Sequence, residues 1–335
     1  QTGLHKTLLP AAYGGYEMGF SAMLETSFAI GKVCASSAWV CGLYMAHSWL
    51  GGLFPREAQD EMWAQDPDAF ISGSYAPIGK ATVVDGGYRL SGRFPFSSGS
   101  PGAAWNLCGA MLPIGPEGKP VPAFTLVPKA DYKIDWQSWR PVGLAGTGSY
   151  DVLVDDVFVP AHRVLRFSDA VGSTAPGAEA NKNPLYRESL LTEVPFALAM
   201  PAVAAAAGAL ERFIDENKVR QTHGAVVLGG KRIADFQTIQ KRVGEAASRI
   251  DACRLLAQHA VEPNGVVEAG ADALRRQRLV GERDATVRIQ PELELRVGED
   301  QPALVRRQHL TRRRSPKVQP HPVAGQPQAH GPARF

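Results

Sequence analysis

The 335-residue sequence predicts an α+β chain built as an N-terminal helical domain, a middle antiparallel β-barrel and a C-terminal helical bundle. Three observations predict it. Residues 17–53 are apolar nearly all round a helical period, the pattern of a buried helix. Residues 69–168 change to short alternating runs separated by Gly and Pro turns, the pattern of a barrel or sandwich. Helical patterning then returns from Leu190. At 44% hydrophobic and 21% charged residues the composition is that of a soluble globular chain, and a formal net charge of +3 is too small to be a nucleic-acid footprint.

The elements follow in order. Gly14-Gly15 punctuates the chain before the first helical stretch. Pro55 opens a further helix, with Arg56, Glu57, Gln59 and Glu61 expected on its wet side, and Asp66-Pro67-Asp68 closes it. This sets the N-terminal domain at 1–68. In the middle domain, 69–168, a short strand is expected at 71–75. A hairpin is expected from 80–84 and 88–94 around Asp85-Gly86-Gly87. Further strands fit 104–111, 123–127, 132–139 and 151–159. Residues 169–184, rich in Gly, Ala, Ser and Asn, read as a linker or surface loop. The C-terminal helical domain is set at 185–262. It holds a small-residue run at 202–207 suited to close helix packing, and an apolar stripe of Phe236, Ile239, Val243, Ala247, Ile250, Leu255 and Leu256.

From Pro263 the composition breaks. Residues 263–335 hold twelve Arg and one Lys, with Pro, Gln and His crowded near the end. Such a tail cannot bury much core and is expected to be disordered. A frameshifted or truncated C-terminus is preferred over a basic arm, because a helical domain should continue there. Residue 1 is Gln, so the natural start is expected to be missing. No secretion signal and no run of eighteen apolar, uncharged residues is recognised, so a cytoplasmic chain without membrane contact is expected. Cys34, Cys41, Cys108 and Cys253 form no CxxC pair and no metal-ligand spacing, and read as small core residues. Cys34 and Cys41 lining a pocket is the less favoured alternative.

Four constellations carry candidate chemistry. Trp39 and His47, eight residues apart, lie within about 80° of each other on a helix. They present a flat ring and a proton-active group to one pocket, or else are core residues with their polar atoms satisfied. Phe94-Pro95-Phe96-Ser97-Ser98-Gly99, with Trp105 following, puts hydroxyls beside aromatic rings at a strand end. That suits the polar edge and the face of a planar ligand, or equally a turn closing the sheet. Ile71-Ser72-Gly73-Ser74 offers small residues where a ligand can approach backbone, or an ordinary edge strand. Arg220 near a helix end is a phosphate clamp or a solvated charge. Gly143-Leu144-Ala145-Gly146-Thr147-Gly148 precedes a strand rather than a helix, which makes it a poor dinucleotide loop.

Taken together, the segments 9–15 (LPAAYGG), 36–49 (SSAWVCGLYMAHSW), 54–63 (FPREAQDEMW), 72–77 (SGSYAP), 85–99 (DGGYRLSGRFPFSSG) and 143–160 (GLAGTGSYDVLVDDVFVP) resemble the acyl-CoA dehydrogenase superfamily. The resemblance covers residues 1 to about 260. Within the superfamily the chain resembles the oxygenase components of two-component flavin monooxygenases, such as the 4-hydroxyphenylacetate and 3-hydroxy-steroid-catabolite hydroxylases. Gly73-Ser74-Tyr75-Ala76-Pro77 replaces the Thr-Glu-Pro element of the dehydrogenases, and Phe96-Ser97-Ser98-Gly99 replaces their Thr-Asn element.

The resemblance implies an acyl-CoA dehydrogenase-like fold and a homotetramer. It implies reduced flavin, FMNH2 or FADH2, delivered by a separate flavin reductase. It also implies hydroxylation of a phenol-like aromatic substrate by O2 through a C4a-hydroperoxyflavin. By the same resemblance, Trp39, Phe96, Ser97 and Ser98 contact the flavin ring, and Ser74 or Ser72 contacts flavin or substrate. Arg220 reaches the flavin phosphate across a subunit boundary. His47 and Ser98 are the implied catalytic pair, with His47 the base in the phenol pocket and Ser98 slowing peroxide loss. No metal is implied. Phe94 stands where the family often has Trp, and the family's further active-site His and C-terminal Gly-rich loop are not recognisable after Ala260. The alternatives are an FAD-dependent acyl-CoA dehydrogenase and a catalytically impaired, truncated flavoprotein.

Overall fold

The structure, a computed structural model, describes residues 3–222 and 232–261. The chain divides into a compact unit, Gln1–Arg283, and a second one, Asp284–Phe335; every described residue lies in the first. The Arg-rich tail expected from Pro263 falls outside the described residues.

The apolar stretch 17–53 forms two helices, α1 (Phe20–Gly31) and α2 (Ala35–Gly51), parted by a short turn. Helix α3 (Arg56–Trp63) follows Pro55, burying Ala58, Gln59, Met62 and Trp63 along one stripe while Glu57 stays wet. Gln59 is the exception to the wet side expected for it. Fully buried, it donates to the carbonyls of Gly52 and Phe54, satisfying the end of α2.

Seven strands follow: β1 (Ile71–Val84), β2 (Gly87–Ser97), β3 (Trp105–Leu112), β4 (Val121–Pro128), β5 (Lys133–Asp135), β6 (Tyr150–Pro160) and β7 (Val164–Arg166). The hairpin around Asp85-Gly86 forms as expected, with Val84 opposite Gly87 and Gly86 at φ 74°. The closed antiparallel barrel does not form. The strands make one open sheet in the order β5-β6-β2-β1-β3-β4-β7, and β1 runs parallel to β3. The reason is the length of β1. Its C-terminal half pairs with β2 while its N-terminal half pairs with β3, so β2 itself serves as the crossover. The β1–β3 ladder is interrupted between Ser74 and Gly79, around Pro77, which has no N–H to donate.

The sheet encloses its own core of Leu90, Phe94, Cys108, Ala110, Val152 and Val154. Phe94 fits because Gly79 and Gly92 leave room: a Cβ on either would stand 2.9 Å from its ring. A second core joins helices to sheet through Met45, Trp49, Trp63, Ile71, Leu107 and Phe124. Each such side chain removed from water contributes about 1.5–3 kcal/mol.

For residues 169–184 the sequence expects a linker or surface loop. They include α4 (Phe167–Val171, which begins just before them) and α5 (Gly177–Ala180). Gly177 N–H donates to Leu53 at 2.9 Å, and buried Asn181 donates to the Gly52 carbonyl at 2.8 Å and to Gln59 Oε1 at 3.0 Å. Their small and polar residues are therefore packing and capping groups for the end of α2.

Helix α6 (Leu190–Asn217) lies close on α1, as its small residues predict. A Cβ on Gly31 would meet Ala204 at 2.5 Å, and one on Gly208 would meet the Lys32 carbonyl oxygen at 2.0 Å. Its segment Val194–Asn217 is long and apolar enough to cross a bilayer by length and composition alone. Ala197 and Met200 from it nevertheless sit in the protein core. In α7 (Gln237–Ala260) the expected stripe divides: Ile239, Val243, Ala247 and Ile250 are half-buried, Leu255 and Leu256 are 63% and 69% exposed, and of the helix's residues only Ala257 is buried.

Candidate active site

The end of β2 is where side chains of different kinds converge. Phe94 pairs with Val152 but Ser97 pairs with Tyr150, so β2 carries one extra residue there. This β-bulge re-aims successive side chains. Phe96 takes the strain, with φ 59° for a residue that has a Cβ, and the residue is 70% exposed. The ring meets Trp139 edge-on at 6.3 Å.

Ser97 turns inward and is fully buried. Its Oγ accepts from Asn106 Nδ2 at 2.6 Å, and the same amide donates to Ser72 Oγ at 2.7 Å. One side chain of β3 thus ties β1 to β2. The side chain of Ser97 is therefore committed to the sheet interior, away from the exposed Phe96 ring.

Ser98 turns toward α2. Trp39 Nε1–H donates to its Oγ at 3.1 Å, and Ser149 Oγ lies 2.8 Å away. Ser149 Oγ is in turn 2.6 Å from Thr147 Oγ1, whose hydroxyl donates to the Leu144 carbonyl at 2.9 Å. All three hydroxyl residues are buried. The loop bringing Thr147 here uses left-handed backbone at Leu144 and Gly148. It is pinned by Gly99 N–H donating to the Thr147 carbonyl at 2.9 Å. On the α2 side, Tyr44 OH donates to the Gly99 carbonyl at 2.6 Å and its ring stacks on Phe70 at 4.3 Å. Burial raises the Tyr44 pKa to about 12, so it stays a donor at neutral pH.

His47 is also buried, but the structure does not join it to Trp39. Its Nδ1 is 2.7 Å from the Ile71 carbonyl. A carbonyl only accepts, so Nδ1 carries the hydrogen and Nε2 keeps its lone pair. Burial lowers the His47 pKa to about 4, which holds the ring neutral. Tyr75 stands beside it, ring centres 5.6 Å apart.

The remaining sequence candidates are more scattered. Ser74 is buried on β1 opposite Cys108, one turn of the pleat beyond Ser72. Arg220 follows the end of α6 and is exposed; its carbonyl accepts from Ile233 N–H at 2.8 Å. Neither makes a described contact with Trp39, Ser98 or His47. A cavity of about 400 Å³ lies on a neighbouring face of α2, lined by Ser36, Cys41, Tyr44, Phe70 and Gly146 among others, and not by Trp39, Ser98 or His47. Its link to the hydroxyl row is Tyr44. Cys41 therefore lines a pocket, Cys34 and Cys253 are exposed, and only Cys108 is the buried core residue expected of all four.

Sequence reasoning missed Tyr44, Asn106, Thr147 and Ser149. For the last two a signal was present: Thr147-Gly148-Ser149 closes the glycine loop set aside as a dinucleotide site, and hydroxyls flanking a left-handed Gly are placed to face one pocket.

Residues 196–290 match the family described as acyl-CoA dehydrogenase, C-terminal domain, a match that runs past Pro263. The chain is 45% identical over 287 residues to the FADH2-dependent resorcinol hydroxylase, oxygenase component, of a Rhizobium species, covering 85% of this chain and 68% of that one. Among solved structures it is similar to the 3-HSA hydroxylase of a Rhodococcus species, with a TM-score of 0.71 and 36% identity over 80% of this chain and 68% of the other. It is also similar to XiaF of a Streptomyces species in complex with FADH2 and glycerol, with a TM-score of 0.67 and 27% identity over 77% and 64%.

Proposed function

The chain belongs to the oxygenase components of two-component flavin-dependent monooxygenases on the acyl-CoA dehydrogenase fold, and from that premise we propose that it hydroxylates a phenol-like aromatic compound with reduced flavin and O2. Reduced flavin, when bound, supplies the electrons that activate oxygen. A separate reductase is the source of that flavin, as the oxygenase-component relatives imply.

The observation that carries the reading is the pairing of Trp39 with Ser98 beside the strained, exposed Phe96. These groups fit a flat ring with a polar edge: aromatic surface for its face, and a buried row of hydroxyls at its side. Phe96 and Trp39 cover the ring, and Ser98 bonds its edge. Ser97 acts through Asn106 by holding the bulge in register. Ser74 borders the same end of β1, and Arg220 is the candidate for the flavin phosphate. His47 offers Nε2 to the hydroxyl of the aromatic substrate, its ring fixed by the Ile71 carbonyl. Its depressed basicity makes it a hydrogen-bond acceptor, which polarises a phenol and raises the electron density of its ring.

The test supplies the full chain with a flavin reductase, NADH and FAD or FMN, and follows O2 uptake and product with resorcinol and with 4-hydroxyphenylacetate. The reading expects a dihydroxylated or trihydroxylated aromatic product that depends on both reductase and chain. Dye reduction by an acyl-CoA, with no phenol-dependent product, would replace it with the dehydrogenase reading.

A further inference from the structure

We propose that Thr147 and Ser149 are positioning residues that set the direction of the Ser98 hydroxyl proton, making Ser98 an acceptor toward the flavin and the site selective for the reduced form. The inference rests on the functional reading above.

The geometry fixes both ends of the hydroxyl row. At one end stands the Trp39 indole N–H, which only donates. At the other stands the Leu144 carbonyl, which only accepts. Each hydroxyl between them has one proton. The Thr147 proton is spent on Leu144, so Thr147 Oγ1 must accept at its 2.6 Å contact with Ser149. The Ser149 proton is spent there, so Ser149 must accept from Ser98 at 2.8 Å. The Ser98 proton therefore points at Ser149, away from the ligand side. The reverse order, from Thr147 through Ser149 to Ser98, leaves Thr147 Oγ1 and the Leu144 carbonyl oxygen facing each other at 2.9 Å with no hydrogen between them. Thr147, Ser149 and Ser98 are 2–5% exposed, so their hydroxyls depend on one another and on the Leu144 carbonyl rather than on water.

Ser98 Oγ accepts from Trp39, donates to Ser149, and keeps one lone pair. A lone pair suits a ring N–H. The flavin ring carries hydrogen on N5 when reduced and a bare lone pair there when oxidised. The row thus welcomes the form that a reductase releases and repels the form it consumes. No proton moves along the row; it works by holding its order.

The experiment titrates the full chain without oxygen, once with reduced and once with oxidised flavin, and reads the ratio of the two dissociation constants. Wild type is expected to favour reduced flavin. Thr147→Val removes the terminal acceptor path and Ser149→Ala removes its middle; either frees the Ser98 proton to turn outward. Each is expected to lower the ratio about tenfold, mainly by tighter binding of oxidised flavin. Thr147→Ser keeps the hydroxyl and is expected to restore the wild-type ratio. A purely structural role predicts equal weakening of both redox forms, and that result overturns the proposal. So does an unchanged ratio in T147V and S149A while Ser98→Ala abolishes the preference; Ser98 would then touch the ring without guidance from its neighbours, and the function would stand. Binding of neither flavin by wild type would overturn the function and this proposal together.

Discussion

Trp39 Nε1 lies 3.1 Å from Ser98 Oγ, joining helix α2 to the end of strand β2 across 59 positions of sequence. An indole there does two things at once, offering a ring face and aiming a hydroxyl. Trp39→Phe separates them, because the aromatic surface is kept and the donor is lost. The expected outcome is a loss of about 1 kcal/mol of stability, the net worth of one hydrogen bond, read by urea denaturation. Reduced-flavin affinity is expected to fall severalfold although the aromatic cover remains.

Phe96 makes the opposite prediction for stability. Its φ of 59° is a conformation that glycine adopts freely and that costs a residue with a Cβ about 1 kcal/mol. The residue gains little from burial, being 70% exposed. Phe96→Gly should therefore raise the melting temperature while weakening flavin binding. A variant that is less stable than wild type would mean that the ring packs as part of the core.

The sequence made much of this site legible, and the limits are physical. Motif order singled out Trp39, His47 and Ser98 as site candidates, of which the structure joins Trp39 and Ser98, and the hairpin at Asp85-Gly86 was readable because that turn needs a left-handed residue. Helical spacing alone put Trp39 and His47 on one face. In the structure Trp39 reaches Ser98 while His47 reaches Ile71, since two strands, not one pocket wall, meet that face. The parallel pairing of β1 with β3 was hidden because period-2 alternation reports burial and says nothing of which neighbour a strand takes. The inward turn of Ser97 depends on a one-residue bulge, which leaves no pattern in the sequence.

Asn106 is the test of how the bulge is held. Its amide donates to Ser72 and to Ser97 on two different strands, all three residues being fully buried. Asn106→Ala leaves both hydroxyls without that donor and should cost about 2–3 kcal/mol. In a double-mutant cycle with Ser97→Ala the two losses should fall short of additivity by about 1 kcal/mol, since the second change removes a partner already deserted. Additive losses would show that Asn106 and Ser97 stabilise the sheet independently.

The burial of His47 has a consequence in pH. Its folded pKa is about 4 against an ordinary value near 6.5. As pH falls from about 6.5 to about 4, the unfolded chain takes up the proton and the folded one does not, so stability declines with pH across that window and is fully present above it. Two and a half units correspond to about 3 kcal/mol. His47→Gln, which does not titrate, should lose about that much less than wild type between pH 7 and pH 4 in denaturant midpoints. The same shift bears on catalysis. Full proton transfer from a phenol of pKa about 10 to an imidazole of pKa about 4 is uphill by about 8 kcal/mol. On the proposed function His47 is therefore expected to accept a hydrogen bond through Nε2, and kcat/KM should show no acid limb near pH 6.5. An acid limb there that disappears in His47→Gln would mean that the ring is solvated in the working enzyme, and that it takes the proton outright.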